Sequence, residues 1–221
     1  MKNYASYGYA LILGSIAALA TMILHPTDMS KLTTPQSVNN AMLLLIGVHS
    51  LALSSIPLLT FGFVGLCQRI GWANRTSVLG FIYFAFAAIA VMIAAIADGL
   101  INAALIPSFL EAQESTREIQ RAILNYNSQI NQASAKVYVV GASISIFLCS
   151  LAILRTKTFD VKIGGFGIIA GLLPVCGLIS GHLRVDAHGF GLVIALQVIW
   201  MIAIGLSMIR TNAATGSRRD T

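Results

Sequence analysis

Residues 76–97 read TSVLGFIYFAFAAIAVMIAAIA, with no Asp, Glu, Lys or Arg, and the next residue is Asp98. A helix rises about 1.5 Å per residue, and roughly 17–25 residues cross the ~30 Å hydrocarbon core of a bilayer. The alternation of apolar and polar residues that a membrane barrel strand requires is absent. Gly80, Ala87 and Ala94 recur on one stripe of this helix. Small residues mark the faces that pack against other helices. Asp98 extends that stripe, so its carboxyl is expected to point into a bundle.

The same signature recurs along the chain. Residues 3–27, 32–68, 137–154, 163–183 and 187–209 also carry no charge. Of 221 residues, 57% are hydrophobic and 10% charged, whereas about a quarter are charged in a soluble domain. The reading is an all-α, polytopic membrane protein, a six-transmembrane-helix bundle forming one integral membrane domain over 1–221. Its spans lie at about 5–24, 41–66, 77–97, 137–154, 163–180 and 188–209. Lys2 and the Ala18-Leu19-Ala20 stretch resemble a signal peptide, but the first run is read as a true span. The second helix is expected to begin before the membrane, with Thr33 and Gln36 as a capping box and Pro35 in its first turn.

Between spans three and four, Ile119, Ile123, Tyr126 and Ile130 share one helical face. Ser108/Glu111 and Ser115/Glu118 both fit capping boxes. A short amphipathic outer helix within about 108–133 is expected, lying over the bundle, with a role as a lid as the bolder reading.

Charge sets the topology. Lys2, Arg69, Arg75, Arg155, Lys157, Lys162, Arg210, Arg218 and Arg219 flank one end of the spans, and Lys31, Arg117, Arg121, Lys136 and Arg184 the other. The positive-inside rule puts both termini in the cytoplasm of a cell membrane, the inner membrane of a bacterial-type cell. The net charge of +6 is spread over these flanks, so no nucleic-acid surface is expected. The partners expected are the lipid bilayer, a small ligand, and a second copy or a membrane-complex subunit. Cys67, Cys149 and Cys176 lie in or beside spans and are read as free.

All four histidines fall at the outer ends of the spans: His25, His49, His182 and His188. Asp28, Asp98 and Asp186 join them. Ionisable groups inside a membrane are costly and mark a site by default. His49 is the deepest histidine, about 10 Å along its helix from Met42. His182 and Asp186 meet on one face if that stretch is helical, and Asn102 follows Asp98 by one turn.

Three chemistries suit the set. A divalent metal such as zinc takes His nitrogen and carboxylate oxygen, with His49, Asp98 and His188 preferred and His25 and His182 as substitutes. Haem takes two histidines, His49 or His25 with His188. A proton or ion path is the third, although nothing ionisable sits in the inner half of any span. The rival is a structural or accessory subunit without catalysis, or a small transporter. There Asp28 and Asp186 cap helices, Asp186 pairs with Arg184 or His182, and His25 merely ends a helix before Pro26.

In residue types alone the set resembles that of the membrane hydrolases that include alkaline ceramidases and progestin/adiponectin receptors. Those carry His-x-x-x-His in the last helix and usually seven spans. Here His182 and His188 are separated by five residues, and six spans are counted. No HExxH, phosphate loop or nucleophile elbow is present.

Overall fold

The computed structural model describes residues 3–26 and 34–216. Asp28, Lys31 and Thr33 lie outside the described residues, so the cap expected at Asp28 is not addressed. The described chain is helical, without strands: α1 (Ala5–Leu24), α2 (Pro35–Ile70), α3 (Arg75–Ala95), a π-helical segment (Ile96–Ile101), α4 (Asn102–Glu111), α5 (Glu114–Thr156), α6 (Val161–Ile179) and α7 (Ala187–Gly216). Six helical stretches among the described residues are long and apolar enough to cross a membrane, α3 running into α4 as one of them.

Local chemistry fixes the helix ends. α1 stops at Leu24 because His25 precedes Pro26, and the proline ring pushes His25 to an extended backbone, φ −62° and ψ 125°. The cap of α2 is one residue along from the expected pair. Thr34 Oγ1 accepts from the Ser37 amide, and the Ser37 hydroxyl accepts from the Thr34 amide. Pro35 occupies the first turn, where its missing N–H costs nothing. Gln36, free of the cap, donates instead to Asn40. Gly71 ends α2 with φ 111°, a conformation that glycine alone adopts readily. Asn74 caps α3 and Asp160 caps α6.

The helices close into a ring. α1 packs on α2 and on α7, α7 on α6, α6 on α5, α5 on α3, and α3 on α2. Small residues let these pairs approach. A β-carbon at Gly80 would lie 2.8 Å from Cys149 Sγ. One at Gly171 would lie 2.7 Å from the Ser143 carbonyl. The stripe of Gly167 and Gly171 is thus a packing face of α6, as its G-x-x-x-G spacing suggests. Gly177 and Gly181 share that spacing but do not form such a face: Gly181 has φ 74° and open space around it, in the turn after α6. Cys67, Cys149 and Cys176 are free thiols.

The expected outer helix takes another form. Residues 108–111 finish α4, the chain turns at Ala112 and Gln113, and 114–156 form one continuous helix. Neither expected capping box forms: Ser108 bonds back to the Leu105 carbonyl, and α5 begins at Gln113 without a side-chain cap. Nor does the apolar face cover the bundle. Ile119 is 65% exposed and Tyr126 67%, whereas Asn127, next to Tyr126, is buried at 5%. The polar side of this stretch faces inward because it meets polar partners there.

Candidate functional site

His25, His49 and Asp98 come from three separate places in the chain and converge. His25 Nε2 lies 3.0 Å from Asp98 Oδ2, and His49 Nε2 lies 3.2 Å from the same oxygen. One ligand atom from each residue lies within 4.8 Å of the other two. The two imidazoles meet edge to face with centroids 5.1 Å apart. His49 is buried, while His25 and Asp98 are partly open.

Each residue is positioned by local structure. His25 is the extended residue at the end of α1, held there by Pro26. His49 lies mid-helix in α2, and its Nδ1 is 2.8 Å from the Leu45 carbonyl one turn back. Asp98 sits in the π-helical segment that interrupts the third apolar helix. Such wide turns re-aim a side chain and recur at functional sites. Gly99 beside it carries no side chain, and a β-carbon there would overlap the His49 ring.

Behind the cluster lies a chain of amides. Asn102 Nδ2 donates to Asp98 Oδ1 at 3.2 Å. Asn127 Nδ2, arriving from α5, donates to Asn102 Oδ1 at 2.7 Å and to the Ala97 carbonyl at 2.6 Å. One carboxylate oxygen is therefore oriented from behind, while the other faces the two imidazoles. Asn102 follows from its spacing to Asp98. Asn127 escaped sequence reading because it is one amide among several, with Asn125, Gln129, Asn131 and Gln132 close by in the chain.

The tautomer of His49 constrains the chemistry. A carbonyl only accepts, so Nδ1 must carry the proton that it donates to Leu45. In the neutral ring Nε2 is then a bare lone pair, facing a carboxylate oxygen that also accepts. Two acceptors at this distance need a positive charge between or upon them, a proton or a metal ion. Tetrahedral ligands about 2.0–2.1 Å from zinc stand roughly 3.3 Å apart, close to the two separations seen. The Nδ1–H to carbonyl bond is also the usual way a metal-ligating histidine is oriented.

A cavity of about 340 Å³ runs inward from the cluster. Its walls come from α1, α2, α3, α5 and α7, and His25, His49, Asp98, Asn131, Gln132 and Asp186 line its polar end. Deeper in, the Tyr138 hydroxyl donates to Gln197 Oε1 at 2.8 Å, and Gln197 Nε2 donates to Ser143 Oγ at 3.4 Å.

The other predicted site residues lie elsewhere. His182 is exposed in the turn after α6, its Nδ1 3.0 Å from Ser180 Oγ. His188 is exposed at the start of α7. Neither lines the cavity or belongs to the three-residue cluster. The stretch from His182 to Val185 is not helical, so His182 and Asp186 do not share a helix face. Asp186 instead caps α7, its Oδ1 accepting from the Gly189 amide at 2.9 Å, and lies 3.9 Å from Arg184 Nε. The Gly189 amide holds the Asp186 carboxyl below the usual carboxylate range.

Comparison with protein-family models, with curated proteins and with solved structures finds no match to this chain.

Proposed function

We propose that this chain is a multi-pass membrane protein crossing the bilayer six times, with both termini in the cytoplasm. We propose further that His25, His49 and Asp98 hold a divalent metal ion, zinc by the donor set, at the outward end of the cavity. The single observation that carries the metal reading is the meeting of His49 Nε2 and Asp98 Oδ2, two acceptors 3.2 Å apart. A third donor, His25 Nε2, stands 3.0 Å from the same oxygen. Three protein ligands leave a fourth position for a bound molecule, as in open rather than closed zinc sites.

The membrane reading is supported by the outside of the ring. Leu13, Phe86 and Leu192 are each more than half exposed. Apolar belts of this extent are unfavourable in water and favourable against acyl chains. The charge asymmetry of the loops supports the orientation. His182 and His188 are set aside as ligands, since His25 takes the place that His188 was expected to fill. Haem is disfavoured too: His188, the axial partner expected for His49 or His25, is exposed and does not line the cavity, and the Nε2 atoms of His25 and His49 converge on one carboxylate with their rings 5.1 Å apart. A porphyrin plane does not fit between them.

The test is zinc stoichiometry and affinity in the purified full-length protein, measured by elemental analysis and competition with a chromogenic chelator. One zinc per chain is expected, lost in His49→Ala and Asp98→Asn and kept in His182→Ala and His188→Ala. Failure to bind any first-row divalent ion would overturn the reading in favour of a His–Asp proton link. A Soret band would overturn it in favour of haem.

A further inference from the structure

The cavity's imidazoles and carboxylates all lie at one end, the Tyr138–Gln197 pair being the polar exception deeper in, and its two ends are set by matched positions on adjacent helices. His49 and Phe63 are fourteen residues apart on α2, and Asp98 and Phe84 are fourteen apart along the third apolar helix. The two helices run in opposite directions, so the rings of Phe63 and Phe84 meet as His49 and Asp98 do. Those rings stack with centroids 3.9 Å apart and planes within 13°. They form a floor about 21 Å from the cluster, at ~1.5 Å per residue. Between floor and mouth the walls are largely apolar, with Ile56, Leu59, Val91, Ile194 and Met201 among them.

The geometry points to a single-chain amphiphile with a carboxylate head as the occupant of this slot. The head would take the open position on the metal, with its alkyl chain running down to the Phe63–Phe84 floor. This rests on the metal reading above. Three observations select that chemistry. The volume of about 340 Å³ is at the small end of the ~300–1,000 Å³ of ligand pockets, which suits one chain rather than two. The lining contains no Lys or Arg among the described residues and carries the carboxylates of Asp98 and Asp186, so an anionic head depends wholly on the metal for its counter-charge. Asn131 and Gln132 at the mouth supply amide donors for a carboxylate oxygen.

The chain has two tryptophans, and one of them reports on the floor. Trp200 is fully buried, its ring centroid 6.2 Å from that of Phe63. Trp72 lies just beyond α2, half exposed, and is replaced by Phe in the test protein. Full-length protein in nanodiscs is loaded with zinc and titrated with dodecanoate brominated either at its terminal carbon or beside its carboxyl. The expected result is saturable quenching of Trp200 by the terminally brominated acid, at least several-fold stronger than by the other. Quenching should vanish without zinc. Ala88→Phe and Ala142→Phe, which fill the slot, should abolish quenching while keeping one zinc per chain. Equal or non-saturating quenching with zinc bound would overturn the amphiphile proposal and leave the metal reading intact. Quenching that persists without zinc would overturn the proposed role of the metal in holding the head. Absence of zinc binding would instead overturn the metal reading itself.

Discussion

Gly99 lies directly under the imidazole of His49, close enough that a β-carbon at position 99 would overlap the ring. The glycine belongs to the π-helical segment that presents Asp98, so one short stretch both supplies a carboxylate and clears space for its histidine partner. Gly99→Ala should therefore displace His49 without touching a ligand. Zinc affinity should fall by about 10–100-fold, the scale of losing an orienting contact. A chelator competition titration measures it, with helix content from circular dichroism as the folding control. Unchanged affinity would show that the ring is free to move and that its placement by Gly99 is immaterial.

The amide chain behind Asp98 gives a second expectation. Asn102 fixes one carboxylate oxygen, and Asn127 fixes Asn102 from another helix. Asn127→Leu should weaken zinc binding by about 10–100-fold through two intervening side chains. Asn102→Ala should do the same, and the double variant should lose little more than either alone, because the two act in series. Full additivity of the two losses would mean that they act separately.

Much of this was legible in the residues, for physical reasons that differ from place to place. The helices were legible because uncharged runs and stripes such as Gly80, Ala87 and Ala94 follow directly from helix geometry. Asp98 was legible as inward-facing because it extends such a stripe, and so was His25, which follows Gly14, Ala18 and Thr21 at helical spacing. Asn102 was legible by its spacing. The pairing of His25 with His49 was not, since it depends on the ring order of α1, α2 and α3, which short loops alone do not specify. His188 also lies at an outer helix end, but it is exposed in the first turn of α7, whereas His25, the extended residue that ends α1, is turned into the cavity. Residues 114–133 misled because their apolar face is more conspicuous than the single buried Asn127. A polar residue drawn inward by a polar partner leaves no periodic trace.

Asp186 provides a pH-dependent expectation. Its carboxylate accepts from the Gly189 amide at the start of α7, which holds its pKa below the usual range near ~3.9. A depressed folded pKa means that the cap is at full strength above the unfolded value and is lost as pH falls through the folded one. Hydrogen exchange at the Gly189 amide should therefore stay slow down to the ordinary carboxylate range and accelerate only below it. In Asp186→Ala it should be fast at every pH, once the intrinsic pH dependence of exchange is removed. Protection in that variant equal to the parent would show that the side chain is not the cap.

Tyr138 and Gln197 join α5 to α7 inside the cavity wall, and both side chains are buried. Tyr138→Phe removes the hydroxyl and leaves Gln197 Oε1 without its donor. A buried acceptor left unpaired costs about 1–3 kcal/mol. The variant should lose that much stability in a reversible denaturation or chaperone-free unfolding assay in detergent. Gln197→Leu in the same protein removes the stranded amide, and the double variant should recover part of the loss, because an apolar pair replaces a half-satisfied one. Zinc affinity should stay within about twofold of the parent throughout, since neither residue touches the cluster and couplings between separated sites are small. A Tyr138→Phe protein of undiminished stability would mean that water takes over the acceptor, and that this end of the slot is wet.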